Sequence, residues 1–152
     1  MKAALLALLL APPGPTDAVW RVEVATHGGL GGRGAGAVKV RSSGDIEVVA
    51  PGGQRCAMRV PAEDLARVAA ALARARPQRW RPRYFQPDNP TGCCDQVATT
   101  LAVGRGAGAG ERRWVTGWFD ESRQLVPADA LALQDAAMDL AQLHQGCAGG
   151  RP

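Results

Sequence analysis

The residues of this sequence most able to do chemistry are its four cysteines, because thiols can bind a metal, undergo redox reactions or form disulfide bonds. Cys93 and Cys94 are adjacent in TGCCDQ, and the others are Cys56 and Cys147. Structural zinc sites usually carry a Cys-x-x-Cys pair or several histidines, but the chain has no such pair and only two histidines. The N-terminus of the chain has the layout of a signal peptide, and an even number of cysteines in an exported protein predicts disulfide bonds. We therefore expect two structural bridges and no metal site.

The pairing of these cysteines is only partly constrained. A bond between Cys93 and Cys94 would close a strained ring, and neighbouring side chains of an extended backbone point to opposite faces. Each of the two is therefore expected to reach a different partner, Cys56 before the first predicted helix or Cys147 after the second. In the chain-entropy account, each bridge would stabilise the fold by about 4 kcal/mol.

A glycine-rich segment, HGGLGGRGAG from His27, contains a formal Gly-x-Gly-x-x-Gly spacing at Gly29, Gly31 and Gly34. Dinucleotide binding through this spacing requires a helix N-terminus directly after the glycines, whereas here a predicted strand at 37–41 follows. We therefore predict no nucleotide site and no cofactor. Two interpretations remain: a flexible hairpin loop, or an exposed backbone that lies close against a partner, which glycine permits.

The stretch RARPQRWRPRYFQP, from Arg74, combines basic and aromatic side chains. Such a mixture can hold single-stranded nucleic acid or another polyanion, but its aromatic residues can equally pin a long loop to the sheet. The net charge of +4 favours weak attraction to acidic surfaces and does not by itself predict nucleic-acid binding. The candidate polyanion contacts are Arg76, Arg79, Trp80, Arg81 and Arg83.

No residue pattern predicts catalysis. Asp120 and Glu121 are adjacent acids in WFDES, whereas general acid–base work uses two groups placed across a cleft, so we interpret them as turn residues. Ser122 and His144 lack a nucleophile motif, because Gly-x-Ser-x-Gly does not occur in the chain. We assign no catalytic residues and do not expect an enzyme.

The N-terminus is typical of an exported protein. MKAALLALLLAPPGP has one lysine, an apolar run of about 9 residues and three prolines, which is the layout of a signal peptide and shorter than the roughly 20 residues of a membrane span. We predict a signal peptide at residues 1–18, a single domain at residues 19–152 and a secreted or periplasmic location. No membrane span is expected once the signal is removed.

Hydrophobic periodicity predicts an α+β domain with the element order βββ-α-ββ-α. Apolar and polar residues alternate near Trp20, Val38 and Ile46, and again in 97–103 and 113–118, which is typical of half-buried strands. VPAEDL and LVPADAL each join a proline to early acids, which are helix-start signals. We expect an antiparallel sheet of four to five strands with two helices on one face, stapled by the disulfides. The predicted helical core residues are Leu65, Val68, Leu72, Leu133, Ala137 and Leu140.

These motifs, in this order, resemble the emfourin family, small inhibitors of thermolysin-like metallopeptidases. The matching segments are 28–31, VPAEDL at 60–65, Cys93 to Asp95, and LVPADAL at 125–131. The resemblance implies stoichiometric occlusion of a metallopeptidase cleft by exposed backbone. The contact would be the glycine turn formed by His27, Gly28, Gly29, Leu30 and Gly31. The alternative is a cell-envelope or extracellular protein that contacts an anionic partner through the arginine and aromatic loop.

Overall fold

The computed structural model describes residues 19–29, 36–50, 52–89 and 96–144. Its strands are β1 (Trp20–Gly28), β2 (Gly36–Arg41), β3 (Asp45–Val49), β4 (Arg55–Arg59), β5 (Arg83–Tyr84), β6 (Val97–Arg105) and β7 (Arg112–Phe119). Its helices are α1 (Ala62–Arg74) and α2 (Ala128–Leu143), and short 3₁₀ segments cover Pro77–Arg79, Gly108–Gly110 and Asp120–Leu125. The predicted signal peptide lies outside the described residues.

The strands form one seven-stranded sheet in the order β4-β3-β2-β1-β6-β7-β5. Neighbouring strands are antiparallel except at the β5 edge, where β5 runs parallel to β7. The prediction of an antiparallel sheet with four to five strands was therefore wrong. The sheet is mixed, and the element order is ββββ-α-βββ-α, so the α+β class holds while the strand count and the order do not.

The two missed strands are the two edges of the sheet. β4 reads Arg-Cys-Ala-Met-Arg and buries no residue fully, so it lacks the strong apolar alternation that marks a half-buried strand. Its terminal arginines are typical of an edge that resists pairing with another chain. β5 is only two residues long and follows two prolines, too short for any periodicity.

Only one of the four cysteines, Cys56, lies within the described residues. It sits in β4 and is disulfide-bonded. Cys93, Cys94 and Cys147 lie outside the described residues. The described part of the chain thus contains no complete bridge, so the prediction of a sheet stapled by two disulfides does not fit it.

One face of the sheet carries the core. Directly paired residues share a face, and the row Val40, Val22 and Val103 crosses three central strands with no exposed surface on any of the three side chains. Burying a valine or leucine side chain stabilises a fold by about 1.5–3 kcal/mol. This face is therefore a continuous apolar layer, and its outer strands add Ile46 and Trp118.

Both helices cover this apolar face. α2 lies against β1 and β2, and α1 packs against α2. The predicted helical core residues are confirmed as buried: Leu65, Val68, Leu72, Leu133, Ala137 and Leu140. Pro61 and Pro127 occupy the N-cap positions, and acids in the first turns oppose the positive end of each helix dipole. The two helices thus lie on one face of the sheet, as the sequence predicted.

Neither helix covers the opposite face, here called the open face. Charged residues dominate one half of it, where Glu23 lies 3.7 Å from the Lys39 ammonium and 3.8 Å from the Arg113 guanidinium. Small side chains occupy much of the rest, with Ala25 directly between Ala37 and Thr100. One end of this face lies at His27, the first residue of the predicted glycine turn.

Candidate partner-binding surfaces

The glycine turn begins where β1 ends. Gly28 and Gly29 have φ angles of 91° and 80°, a region that side-chain-bearing residues rarely adopt. A Cβ on Gly28 would lie only 2.5 Å from the carbonyl oxygen of Gln96, just before β6. Only glycine therefore fits this corner. His27 beside it is exposed, whereas Leu30 and Gly31, also predicted as contacts, lie outside the described residues.

An aromatic pair extends the surface that starts at this corner. His27 is paired with Ala98 in β6, and Ala98 is paired with Phe119 in β7, so all three share the open face. Phe85 follows β5 and stacks on Phe119, with ring centroids 5.2 Å apart and planes inclined by 28°. We call the row His27, Ala98, Phe119 and Phe85 the corner row.

Sequence reasoning did not assign Phe85 or Phe119 to any site. Both were visible as aromatic residues next to predicted strands, but their meeting depends on the parallel pairing of β5 with β7. That pairing places Tyr84 beside Trp118 on the covered face. The next residue of each segment is then a phenylalanine on the open face, since successive side chains alternate between faces.

The arginine-rich segment after α1 is held in place by a carboxylate on α2. Asp129, in the first turn of α2, accepts hydrogen bonds from the Arg76 backbone N–H (2.7 Å), the Trp80 indole N–H (3.3 Å) and the Ala130 N–H (3.1 Å). The charge of Asp129 also suits a helix N-terminus. Trp80 therefore pins the loop, one of the two roles expected for the aromatic residues of this segment.

A second set of hydrogen bonds anchors the following residues to β7. Arg81 donates its backbone N–H to the Tyr84 hydroxyl (2.9 Å) and accepts from the Thr116 hydroxyl at its carbonyl (2.7 Å). Gly117 donates its N–H to the Pro82 carbonyl (3.0 Å). The backbone that carries Arg81 and Arg83 is thus fixed while both side chains stay exposed.

Some arginines of the described chain are paired with carboxylates, and those of the arginine-rich segment are not. Arg67 pairs with Asp139 at 2.7 Å and Arg123 with Asp135 at 3.0 Å. By contrast, the guanidinium groups of this segment are exposed and have no carboxylate within 4 Å in the described part of the chain; they belong to Arg74, Arg76, Arg79, Arg81 and Arg83. Outside the segment, four more exposed arginines lack an ion pair: Arg41, Arg59, Arg105 and Arg112.

The unpaired arginines of the arginine-rich segment line two surface depressions. The first, of about 420 Å³, lies at the start of α2 and is lined by Arg74, Arg76, Arg79, Trp80, Pro127 and Asp129. We call it the helix-side depression. The second, of about 500 Å³, lies at the β5 edge, and its lining includes Arg81, Arg83, Phe85, Gln86 and Leu125. We call it the strand-side depression. The five predicted polyanion contacts are therefore divided between two separate places.

The acids of the WFDES turn have structural roles. Asp120 and Glu121 begin a 3₁₀ segment, and Glu121 accepts a hydrogen bond from the Asn89 side-chain amide at 2.8 Å. Ser122 is fully buried, and its hydroxyl oxygen accepts from the Gln86 N–H at 3.1 Å. The interpretation of the two acids as turn residues fits this geometry.

The structure does not bring Ser122 and His144 together. His144 Nε2 lies 2.9 Å from Asp64 Oδ2, so it joins the end of α2 to the first turn of α1. Ser122 precedes α2, and a helix of 16 residues is about 24 Å long. Ser122 and His144 are therefore too far apart for the histidine to act as the general base of a serine nucleophile.

The described residues contain no group of three or more histidine, cysteine, aspartate or glutamate side chains arranged to hold a metal ion. Likewise, no helix within the described ranges has the length and apolar character needed to cross a membrane. Comparison of the chain with protein-family models, curated proteins and solved structures finds no match. The resemblance to the emfourin family therefore stays a prediction from the sequence motifs.

Proposed function

We propose that the protein is a secreted or periplasmic binding protein that inhibits a thermolysin-like metallopeptidase by stoichiometric occlusion of its cleft. The observation that carries the proposal is the glycine corner, in which Gly28 is exposed and Gly29 is half-buried and whose shape is fixed. Because Gly28 lies against the Gln96 carbonyl and β1 is paired with β6 along its whole length, little conformational freedom would be lost on binding. Such preorganisation raises affinity.

The corner row supplies the apolar part of the proposed contact. Phe85 and Phe119 are half-buried, so each retains exposed ring surface next to the corner. Aromatic residues dominate the binding energy of many interfaces, and a stacked pair presents its rings at low entropic cost. In this proposal the chain contributes no reacting group, and inhibition follows from exclusion of substrate alone.

The test is titration of a thermolysin-like metallopeptidase with the purified protein. We expect activity to fall linearly to a stoichiometric end point, and no loss at tenfold molar excess would overturn the proposal. His27→Ala and Phe85→Ala should each raise the inhibition constant about tenfold or more. Val115→Ala is the matched control, since Val115 is exposed on the open face four residues, or about 13 Å, from Phe119. This control should change the constant less than twofold.

A second candidate function is contact with an anionic partner through the helix-side depression. The specific observation is that Arg74, Arg76 and Arg79 line it without ion pairs in the described chain, on a backbone fixed by Asp129. Unpaired guanidinium groups on a rigid support suit sulfate or phosphate groups, which accept bidentate hydrogen bonds.

Retention on a sulfated-polymer column tests this second candidate. We expect the Arg74→Gln, Arg76→Gln, Arg79→Gln triple variant to elute at clearly lower salt than the native protein, because binding through ion contacts weakens as contacts are removed. Arg67→Gln is the control, since that arginine is already paired with Asp139. Equal elution of the triple variant and the control would refute a specific contact at this depression.

A further inference from the structure

We propose that the strand-side depression binds the C-terminal carboxylate of a peptide whose last residue is apolar. This inference goes beyond both candidate functions, because it assigns a ligand to the depression that neither of them uses as its binding site. The lining of this depression combines two unpaired arginines with several apolar side chains. A ligand that suits it must carry a negative charge close to a bulky apolar group.

The negative charge is specified by Arg81 and Arg83. Neither guanidinium has an ion pair within the described residues, and Arg83 lies over the Phe85 ring with its guanidinium carbon 5.8 Å from the ring centroid. The backbone between them is held to β7 through Thr116 and Gly117. A planar carboxylate matches a guanidinium through two parallel hydrogen bonds, so these arginines suit a carboxylate better than they suit a neutral group.

The apolar part of the ligand is specified by the apolar lining of the depression. Tyr84, Phe85, Pro87 and Leu125 line the depression, and Leu125 leaves 44% of its surface exposed. A ligand that covers this exposed leucine stabilises the complex by about 25 cal/mol for each Å² of apolar surface removed from water. The volume of about 500 Å³ is within the range of small-ligand sites. It suits a compact side chain better than a long alkyl chain, which an open depression would leave partly in water.

Gln86 favours a peptide over other carboxylates. Its side-chain amide nitrogen donates to the Glu121 carbonyl at 3.1 Å, which fixes the orientation of the amide. Its side-chain oxygen accepts no hydrogen bond from the described residues and is therefore open to an N–H donor. A terminal peptide residue offers such an N–H beside its carboxylate, whereas a fatty acid offers none.

The experiment measures binding of two fluorescently labelled tripeptides, Gly-Gly-Phe as the free acid and as the C-terminal amide, to the full chain. We expect the acid to bind at least tenfold more tightly than the amide. Arg81→Gln with Arg83→Gln should remove that preference, and Leu125→Ser should weaken the acid severalfold. Arg112→Gln, at the far end of β7 and also exposed and without an ion pair, is the matched control and should bind as the native protein does.

Three outcomes would overturn the inference. Equal affinity for acid and amide would show that the carboxylate is not recognised. Unchanged preference in the Arg81 and Arg83 variant, with circular dichroism equal to that of the native protein, would place binding elsewhere. Tighter binding of decanoate than of the tripeptide acid would assign the site to lipid-like carboxylates. Retention of the Arg74, Arg76, Arg79 variant on the sulfated polymer is a separate measurement, so failure of the second candidate function is distinguishable from failure here.

Discussion

Replacement of Gly28 by alanine tests the central feature of the glycine corner. The φ angle of 91° is unfavourable for any residue with a side chain, and such backbone strain costs about 1–3 kcal/mol. The added Cβ would also lie 2.5 Å from the Gln96 carbonyl oxygen. Because that atom belongs to the backbone, the start of β6 would have to move, which costs about 1–3 kcal/mol, as overpacking does.

Gly53→Ala separates these two costs. Gly53 has a φ angle of 86°, close to that of Gly28, but nothing lies within 4 Å of its hypothetical Cβ. The strain contribution is therefore similar in the two variants, and the steric contribution applies to Gly28→Ala alone. We expect Gly28→Ala to lower the free energy of unfolding by about 1–3 kcal/mol more than Gly53→Ala does.

The assay is urea unfolding followed by tryptophan fluorescence, since Trp20 and Trp118 are buried. With a slope of about 1–3 kcal/mol per molar urea, the expected difference between the variants is a shift of about 1 M in the unfolding midpoint. A Gly28→Ala midpoint equal to or above that of Gly53→Ala would refute the argument. It would mean that the corner relaxes without cost and is not the fixed surface described above.

Two other predictions concern the anchors of the arginine-rich segment. Asp129→Ala should lower the free energy of unfolding by about 2 kcal/mol, because the Arg76 N–H and the Trp80 indole lose a charged acceptor. Asp135→Ala is the control. It breaks only a surface ion pair and should lower the free energy of unfolding by less than about 1 kcal/mol when both variants are compared by thermal unfolding. Ser122→Ala should lower the free energy of unfolding by about 1–3 kcal/mol, because the Gln86 N–H loses the buried hydroxyl that accepts its hydrogen bond. A melting temperature equal to that of the native protein would contradict this role of Ser122.

The elements that the sequence predicted well are those with a buried face and a clear period. In α1, Leu65, Val68 and Leu72 recur at helical spacing, and all three are buried. In β1, Trp20, Val22 and Val24 alternate with polar residues, and the structure buries that set. Local periodicity is sufficient here because each element has to turn one apolar side to the core.

The edges of the sheet could not be predicted in the same way. β4 is half-exposed and ends in arginines, so its pattern is that of a polar loop. β5 forms because Asp129 and Thr116 hold the segment around it against α2 and β7. Those contacts join residues far apart in the chain, and no local pattern encodes them.

The amino-acid sequence by itself determined the α+β class, the positions of both helices and the faces that they bury. The tertiary structure alone decided that Phe85 stacks on Phe119 beside the glycine corner, and that the arginines divide between two depressions. The physical reason is the range of the interactions. Amphipathic periodicity arises within one element, whereas a binding surface arises where side chains from distant elements meet.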